Sequence, residues 1–357
     1  MKLSILCLTI CSASLALALD SASRVAAAED VSFAGKVITM TIGFAAGSGT
    51  DLYGRTIGQH LLRHLPGNPR LIVVNQPGAG GVVALNDWTK RAEPNGQFLT
   101  IGQQSQVDPD SLIRANAKYD PRSFHFLGGV ASASQGLFVN KAAVGRLTAG
   151  SAEPVTMGIV GSTLRGGNYQ ALWGAAFLGW NVKWVRGYPA TGEVLQALDR
   201  EEIDMSSFSA LKDATYLRQS GKFTVVCQGG AWVDGKQAKS AWIGDAPFIG
   251  ELLERKLKED PQARQAFDYW QNLTQIGIWL ALPPNTPDDI RAAYGKAYQA
   301  TIQDRAFLDD YSKINPDALY VRGADLSSLV SKVVSVPPET LHYIDALLQH
   351  QGFVAAQ

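Results

Sequence analysis

Cysteine is almost missing from this chain. Of three cysteines in 357 residues, Cys7 and Cys11 lie in an amino-terminal stretch that reads as a leader, so Cys227 stands alone in the rest. A single thiol excludes an internal disulfide. Cys227 follows the β-branched run Phe223-Thr224-Val225-Val226, so it reads as a small buried hydrophobe in a strand rather than a nucleophile. An excess of either charge is missing too. Lys plus Arg number 32, as do Asp plus Glu, and no basic cluster stands out, so no nucleic-acid partner is expected. Only five histidines are present. His60 and His64 lie four apart, a spacing that could hold a metal, but Leu61-Leu62-Arg63 supplies no Glu between them. They are expected on a solvated helix face, and His125, His342 and His350 form no sequence cluster. No metal site is expected.

The motifs of several enzyme classes are absent. Gly47-Ser48-Gly49 begins like a dinucleotide loop, but Leu52 stands where the third glycine belongs, and Asn75-Gln76 ends the second strand without an acid for a ribose. No phosphate-binding G-x-x-x-x-G-K-[ST] occurs. Ala46 precedes Ser48 by two, so there is no nucleophile elbow. No cofactor is implied. Beyond the first residues, no window is more hydrophobic than a buried helix.

What is present begins with an export signal. Lys2 is a short positive region, Leu3 to Leu19 is apolar but diluted by Ser4, Thr9, Ser12 and Ser14, and Ala26-Ala27-Ala28 offers a processing site before Glu29. The stretch is too short and polar for a membrane span. Ile10 before Cys11 is too large for a lipoprotein signal. Residues 1–28 are therefore expected to be removed and the remainder to be periplasmic.

After the signal, strand and helix patterns alternate. Val37 to Phe44 is β-rich and ends in the small-residue loop Ala45 to Thr50. Asp51 to Leu65 reads as a helix, with Tyr53, Ile57, Leu61 and Leu65 on one face and Thr50 or Asp51 to cap it. Leu71 to Val74, a Gly-rich turn, a helix over Val82 to Arg91 and the run Phe98 to Ile101 complete a β-α-β-α-β unit with parallel strands. A second such unit spans 155–227, and helices dominate after Pro283-Pro284. With 46% hydrophobic residues and this length, two lobes are expected. Open α/β sheets bind ligands at loops that follow strands and precede helices, where free N–H groups and the helix dipole favour an anion. Such loops lie at 44–51, 76–82, 103–106, 161–168 and 187–192.

The stretch Ile42 to Asp51 followed by Arg55 resembles the first loop of the Bug family, the receptors of tripartite tricarboxylate transporters. Val73-Val74-Asn75-Gln76-Pro77-Gly78-Ala79-Gly80-Gly81 is similar to that family's V-x-N-x-x-G-A-G-G. Pro94-Asn95-Gly96-Gln97-Phe98-Leu99, Gly187 to Thr191, Leu195 to Asp204 and Ala281 to Pro287 resemble further motifs of the family, in order along nearly the whole mature chain. The resemblance implies a two-lobed type II periplasmic binding protein, each lobe a mostly parallel sheet flanked by helices, with the ligand in the cleft between. It implies lobes of 29–134 with 278–357, and of 135–277. It also implies that carboxylates are held by backbone N–H groups and hydroxyls: Phe44, Gly47, Ser48, Gly49, Thr50 and Asp51 in one lobe, Ser162, Thr163, Tyr188 and Thr191 in the other, with Gln104 and Ser105 facing the same cleft. For Asp51, helix capping is an equal explanation. Ala45 and Ala46 depart from the proline and glycine common in the first loop. Arg165 departs as well, and could pair with a carboxylate or stand in solvent. The expected function is capture of a small organic acid for a membrane transporter by a monomeric, non-enzymatic protein. An exported hydrolase-like enzyme, or a receptor serving a signalling partner, is the alternative.

Overall fold

The computed structural model describes residues 31–131, 134–148, 150–233, 236–316 and 318–353. The expected signal peptide lies outside them. The chain opens with β1 (Val37–Ile42), α1 (Gly49–Arg63), β2 (Arg70–Asn75), α2 (Val82–Arg91), β3 (Phe98–Gly102), α3 (Pro109–Arg114) and β4 (His125–Val130). It continues as β5 (Gly136–Asn140), β6 (Val155–Val160), α4 (Tyr169–Phe177), β7 (Val182–Tyr188), α5 (Thr191–Asp199), β8 (Met205–Phe208), α6 (Leu211–Gln219) and β9 (Phe223–Gln228). A small hairpin of β10 (Ala231–Val233) and β11 (Lys236–Ala238) leads to α7 (Ile249–Glu259) and α8 (Pro261–Gln275). Then come β12 (Ile278–Leu282), α9 (Asp288–Thr301), α10 (Arg305–Ser312), β13 (Tyr320–Arg322), α11 (Gly323–Val334) and α12 (Pro338–His350).

Two main sheets result, ordered β13-β4-β12-β3-β1-β2 and β7-β6-β8-β5-β9. Each is mixed. In the first, β2 and β3 pair parallel with β1, while β12 lies antiparallel between β3 and β4. In the second, β7 and β8 pair parallel with β6, while β5 lies antiparallel between β8 and β9. The sheets share one plan. In the first sheet β12 and the edge strand β13 run against the other four, and in the second β5 alone runs against the rest. The inserted strands β12 and β5 each arrive from the other half of the chain. β5 follows β4 of the first sheet, and β12 follows the elements that succeed β9 of the second.

Local sequence explains the packing. In β1, Ile38, Met40 and Ile42 alternate onto one face and are fully buried against Tyr53, Ile57 and Leu61 of α1. Helix α1 lies close to the sheet because Gly54 and Gly58 carry no side chain where Ile42, Ile101, Leu71 and Met40 press in. Its N-cap is Ser48, whose Oγ accepts from the Asp51 N–H at 3.3 Å, rather than the expected Thr50 or Asp51. His60 is a second correction. It is 2% exposed, not solvated. Its ring meets Phe307 edge-on and its Nε2 lies 3.2 Å from Asp310 Oδ2, while His64 Nε2 lies 3.1 Å from Asp304 Oδ2. The pair fastens α1 to α10, a helix whose proximity the local charge pattern did not reveal. Cys227 is buried as expected; burial pushes its thiol up, and its Sγ donates to Gln170 Oε1 at 3.2 Å.

Candidate functional site

The first sheet presents its loops at the ends of β1, β2 and β3, and one network shapes them. Asp51, 2% exposed, accepts from the Gly47 N–H at 2.8 Å, from Arg55 Nε at 3.0 Å and from Asn75 Nδ2 at 2.8 Å. Asn75 Nδ2 also donates to the Phe44 carbonyl at 3.0 Å, and Arg55 Nη2 donates to Asn75 Oδ1 at 2.9 Å. Burial opposes the Asp51 charge, but Arg55, the Gly47 N–H and Asn75 outweigh it and hold the carboxyl below its ordinary range. Asp51 thus folds the 44–51 loop back onto the head of α1. Arg55 and Asn75, which both sit inside the family-like motifs, hold this loop in shape, a part that residue-by-residue reading passed over.

Gly47 and Gly49 are exposed, whereas Thr50 is fully buried and its Oγ1 accepts a close hydrogen bond from Gln103 Nε2. Gln104 Nε2 donates to the Leu273 carbonyl of α8 at 2.8 Å, and Ser105 Oγ donates to the Gly80 carbonyl at 2.8 Å. In the 76–82 loop Gly80 takes a left-handed backbone with φ +62°, and Gly81 is required by close packing. A Cβ at Gly43 would fall 2.6 Å from Gly81 Cα, and a Cβ at Gly81 would strike the Gln106 amide. Gln106 in turn donates to the Gly81 carbonyl at 3.1 Å.

In the second sheet, the 161–168 and 187–192 loops are zipped together. Gly161 N–H donates to the Tyr188 carbonyl at 2.9 Å, and Gly187 N–H to the Gly161 carbonyl at 2.7 Å. Ser162, Thr163 and Arg165 are exposed, and their side chains have no hydrogen-bond or ion-pair partner among the described residues. Thr191 begins α5 and is exposed. Tyr188 packs against the apolar cluster that contains Val194 and Ile203; burial, then the nearby Glu202, raises its hydroxyl above the ordinary value.

Sequence reading missed a third group. Gln135, Gly167, Gln170, Gly229, Gly230, Trp270 and Thr274 line a cavity of about 20 Å³, room for one water. It lies where the start of β5, the entry to α4, the end of β9 and the last turn of α8 meet. Trp270 Nε1 donates to the Gly166 carbonyl at 3.3 Å, so α8 touches this side as well as Gln104. The residues come from four distant stretches, and only the antiparallel insertion of β5 joins them. Among the described residues, no group of three or more His, Cys, Asp or Glu is placed to hold a metal ion, and no helix is long and apolar enough to cross a membrane.

Two mixed sheets, each completed by a strand from the other half of the chain, define a two-lobed α/β periplasmic-binding-protein fold. No family model and no curated protein matches the chain. Solved structures match it in shape. A TctC solute-binding protein from Polaromonas, solved without ligand, has a TM-score of 0.63 at 18% identity, covering 88% of this chain and 98% of its own. The periplasmic binding protein BugD has 0.53 at 18% identity, covering 89% and 98%. An R. palustris protein solved with adipate has 0.54 at 16% identity, covering 89% and 97%.

Proposed function

We propose that this chain is an exported periplasmic solute-binding protein of the Bug type, which captures a small organic acid and delivers it to a tripartite tricarboxylate-type membrane transporter. The observation that carries the reading is the head of α1. Ser48 caps the helix and Asp51 is neutralised by Arg55, while the N–H groups of Gly49 and Thr50 have no protein partner among the described residues. Gly49 is exposed at the head of a helix of 15 residues, so its N–H is open to an anion, with Thr50 buried behind it. The 161–168 loop offers a second set across the cleft. BugD and the TctC protein are binding proteins by name, and the R. palustris protein holds a dicarboxylate, which supports an acid ligand here.

On this reading the ligand meets residues 44–51, Gln104 and Ser105 on one side and Ser162, Thr163, Arg165, Tyr188 and Thr191 on the other. The lobes are 29–134 with 278–357, and 135–277. The protein works as a monomer, without cofactor or catalysis, after loss of residues 1–28. A thermal-shift screen over organic acids tests it, because a ligand that binds only the native state raises the melting temperature. The expected result is a rise with one class of acid. No rise with any acid, or turnover of ester or amide substrates, overturns the reading.

A further inference from the structure

We propose that Gln106, in the turn after β3, is a positioning residue for acid binding, whose amide fixes the 76–82 loop and the head of α1 relative to each other. The proposal rests on the acid-binding reading above. Gln106 is 0% exposed. Its carboxamide lies between Gly43, just after β1, and Gly81, the residue before α2. A Cβ at Gly43 would fall 3.2 Å from Gln106 Nε2, and one at Gly81 would fall 2.6 Å from Gln106 Cδ. The two glycines leave a slot and the amide fills it. Both ends of the amide are engaged. Nε2 donates to the Gly81 carbonyl at 3.1 Å, and Oε1 accepts the Gln103 N–H at 2.9 Å. The Tyr119 hydroxyl holds the Gln106 main chain, donating to its carbonyl at 3.0 Å.

Gln103 carries the tie onward. Its Nε2 donates to Thr50 Oγ1, and Thr50 is fully buried next to the exposed Gly49, whose N–H is offered to the anion. The Gln106 N–H donates to the Gln103 carbonyl at 3.1 Å, which also accepts from Trp279 Nε1 at 3.0 Å. One buried amide therefore joins the 76–82 loop, through the 103–106 turn, to the head of α1. Ser105 Oγ holds the neighbouring Gly80 carbonyl at 2.8 Å, but from the exposed side. The slot requires an amide, because the group in it must accept at one end and donate at the other. A carboxylate would set an oxygen against the Gly81 carbonyl. A leucine would take the partner from both the Gln103 N–H and the Gly81 carbonyl. A supporting side chain of this kind is what holds binding groups to within about 0.5 Å of their working geometry.

The test compares wild type, Gln106→Leu and Gln106→Glu as full mature chains. Hydrogen exchange is read by mass spectrometry on the free proteins. Titration calorimetry with succinate, glutarate and adipate is run well below the melting temperature of each. Gln106→Leu should speed exchange in both the 44–51 and the 76–82 loops. It should also weaken binding by about tenfold or more, although a fully buried side chain meets no ligand. Gln106→Glu keeps the acceptor for the Gln103 N–H and loses the donor to Gly81. Exchange should then rise in the 76–82 loop alone, and binding should still weaken. This variant is the readout if the leucine variant fails to fold. A role confined to stability would lower the melting temperature and leave the affinity of the folded protein unchanged. That result overturns the proposal while leaving the acid-binding reading intact, and so does exchange in the 44–51 loop unmoved by Gln106→Leu. Binding of none of the three acids by wild type overturns the acid-binding reading and the role of Gln106 together.

Discussion

Asp51 shows how a carboxylate next to a ligand site can belong to the scaffold. Its folded value lies below its ordinary one, so its contribution to stability is present above about pH 3.9 and is lost as pH falls through the lower folded value. Asp51→Asn keeps one acceptor oxygen for three donors and leaves Arg55 uncompensated. It should lower unfolding free energy at pH 7 by about 1–3 kcal/mol, with the gap to wild type closing under strongly acidic conditions. Urea denaturation across that range checks both parts, and a gap independent of pH would show that the charge does not matter. In the second lobe, Ser162 and Arg165 separate two ways of holding an anion. Ser162→Ala should weaken binding by about 1–3 kcal/mol, the loss of a hydrogen bond to a charged group. Arg165→Ala should weaken it by less than about 1 kcal/mol, and less again in high salt, because the side chain is exposed and unpaired among the described residues. A loss from Arg165→Ala larger than that from Ser162→Ala would mean that the guanidinium grips the carboxylate directly.

At the scale of elements, β3 and β12 decide where the first-lobe loops stand. Trp279 of β12 lies over Gly102, where a Cβ would overlap its indole, and its Nε1 donates to the Gln103 carbonyl at 3.0 Å. Gly102→Ala should therefore cost about 1–3 kcal/mol by overpacking and also weaken ligand binding, since Gln103 supports Thr50. Chemical denaturation and calorimetry on one preparation would show the two losses together; a stable variant with unchanged affinity would uncouple the strand from the loop. The same elements show what could be read in advance. Strands β1, β2, β3, β6 and β7 were legible because apolar runs alternate with helices of clear 3.6-residue period. Strand β5 was not. Gly136 to Asn140 is short, and its place between β8 and β9 is set by partners far along the chain. Gln135, Gly229 and Trp270 escaped notice for that reason, whereas the 44–51 loop could be located because its donors are consecutive in sequence. His60 was misplaced for the converse reason: its partners on α10 lie some 250 residues away.

At the scale of the whole molecule, both lobes lean on α8. Gln104 and Asp108 from the first-sheet side meet Leu273 and Tyr269, while Gly166 from the second-sheet side meets Trp270. Phe124, Phe126 and Trp279 of the first sheet also share a continuous apolar cluster with Val155, Met157 and Ile159 of the second. A shared core of this kind resists sliding of one sheet past the other, so closure of the lobes on a ligand is expected as a rotation about the two connecting segments rather than a shear. Ligand at a hundredfold excess over Kd should then add about 2.7 kcal/mol to the unfolding free energy, and X-ray scattering should show a smaller radius of gyration. Trp270→Phe keeps the ring in the core and removes only the bond to the Gly166 carbonyl. If α8 is the element on which the lobes turn, this variant should bind more weakly by about 1 kcal/mol and still contract when saturated. Contraction lost at saturation, with the melting temperature of the free protein unchanged, would place the bond within the closing step itself. A radius that does not change in wild type would instead mean that the acid is taken into a cleft already shaped to hold it.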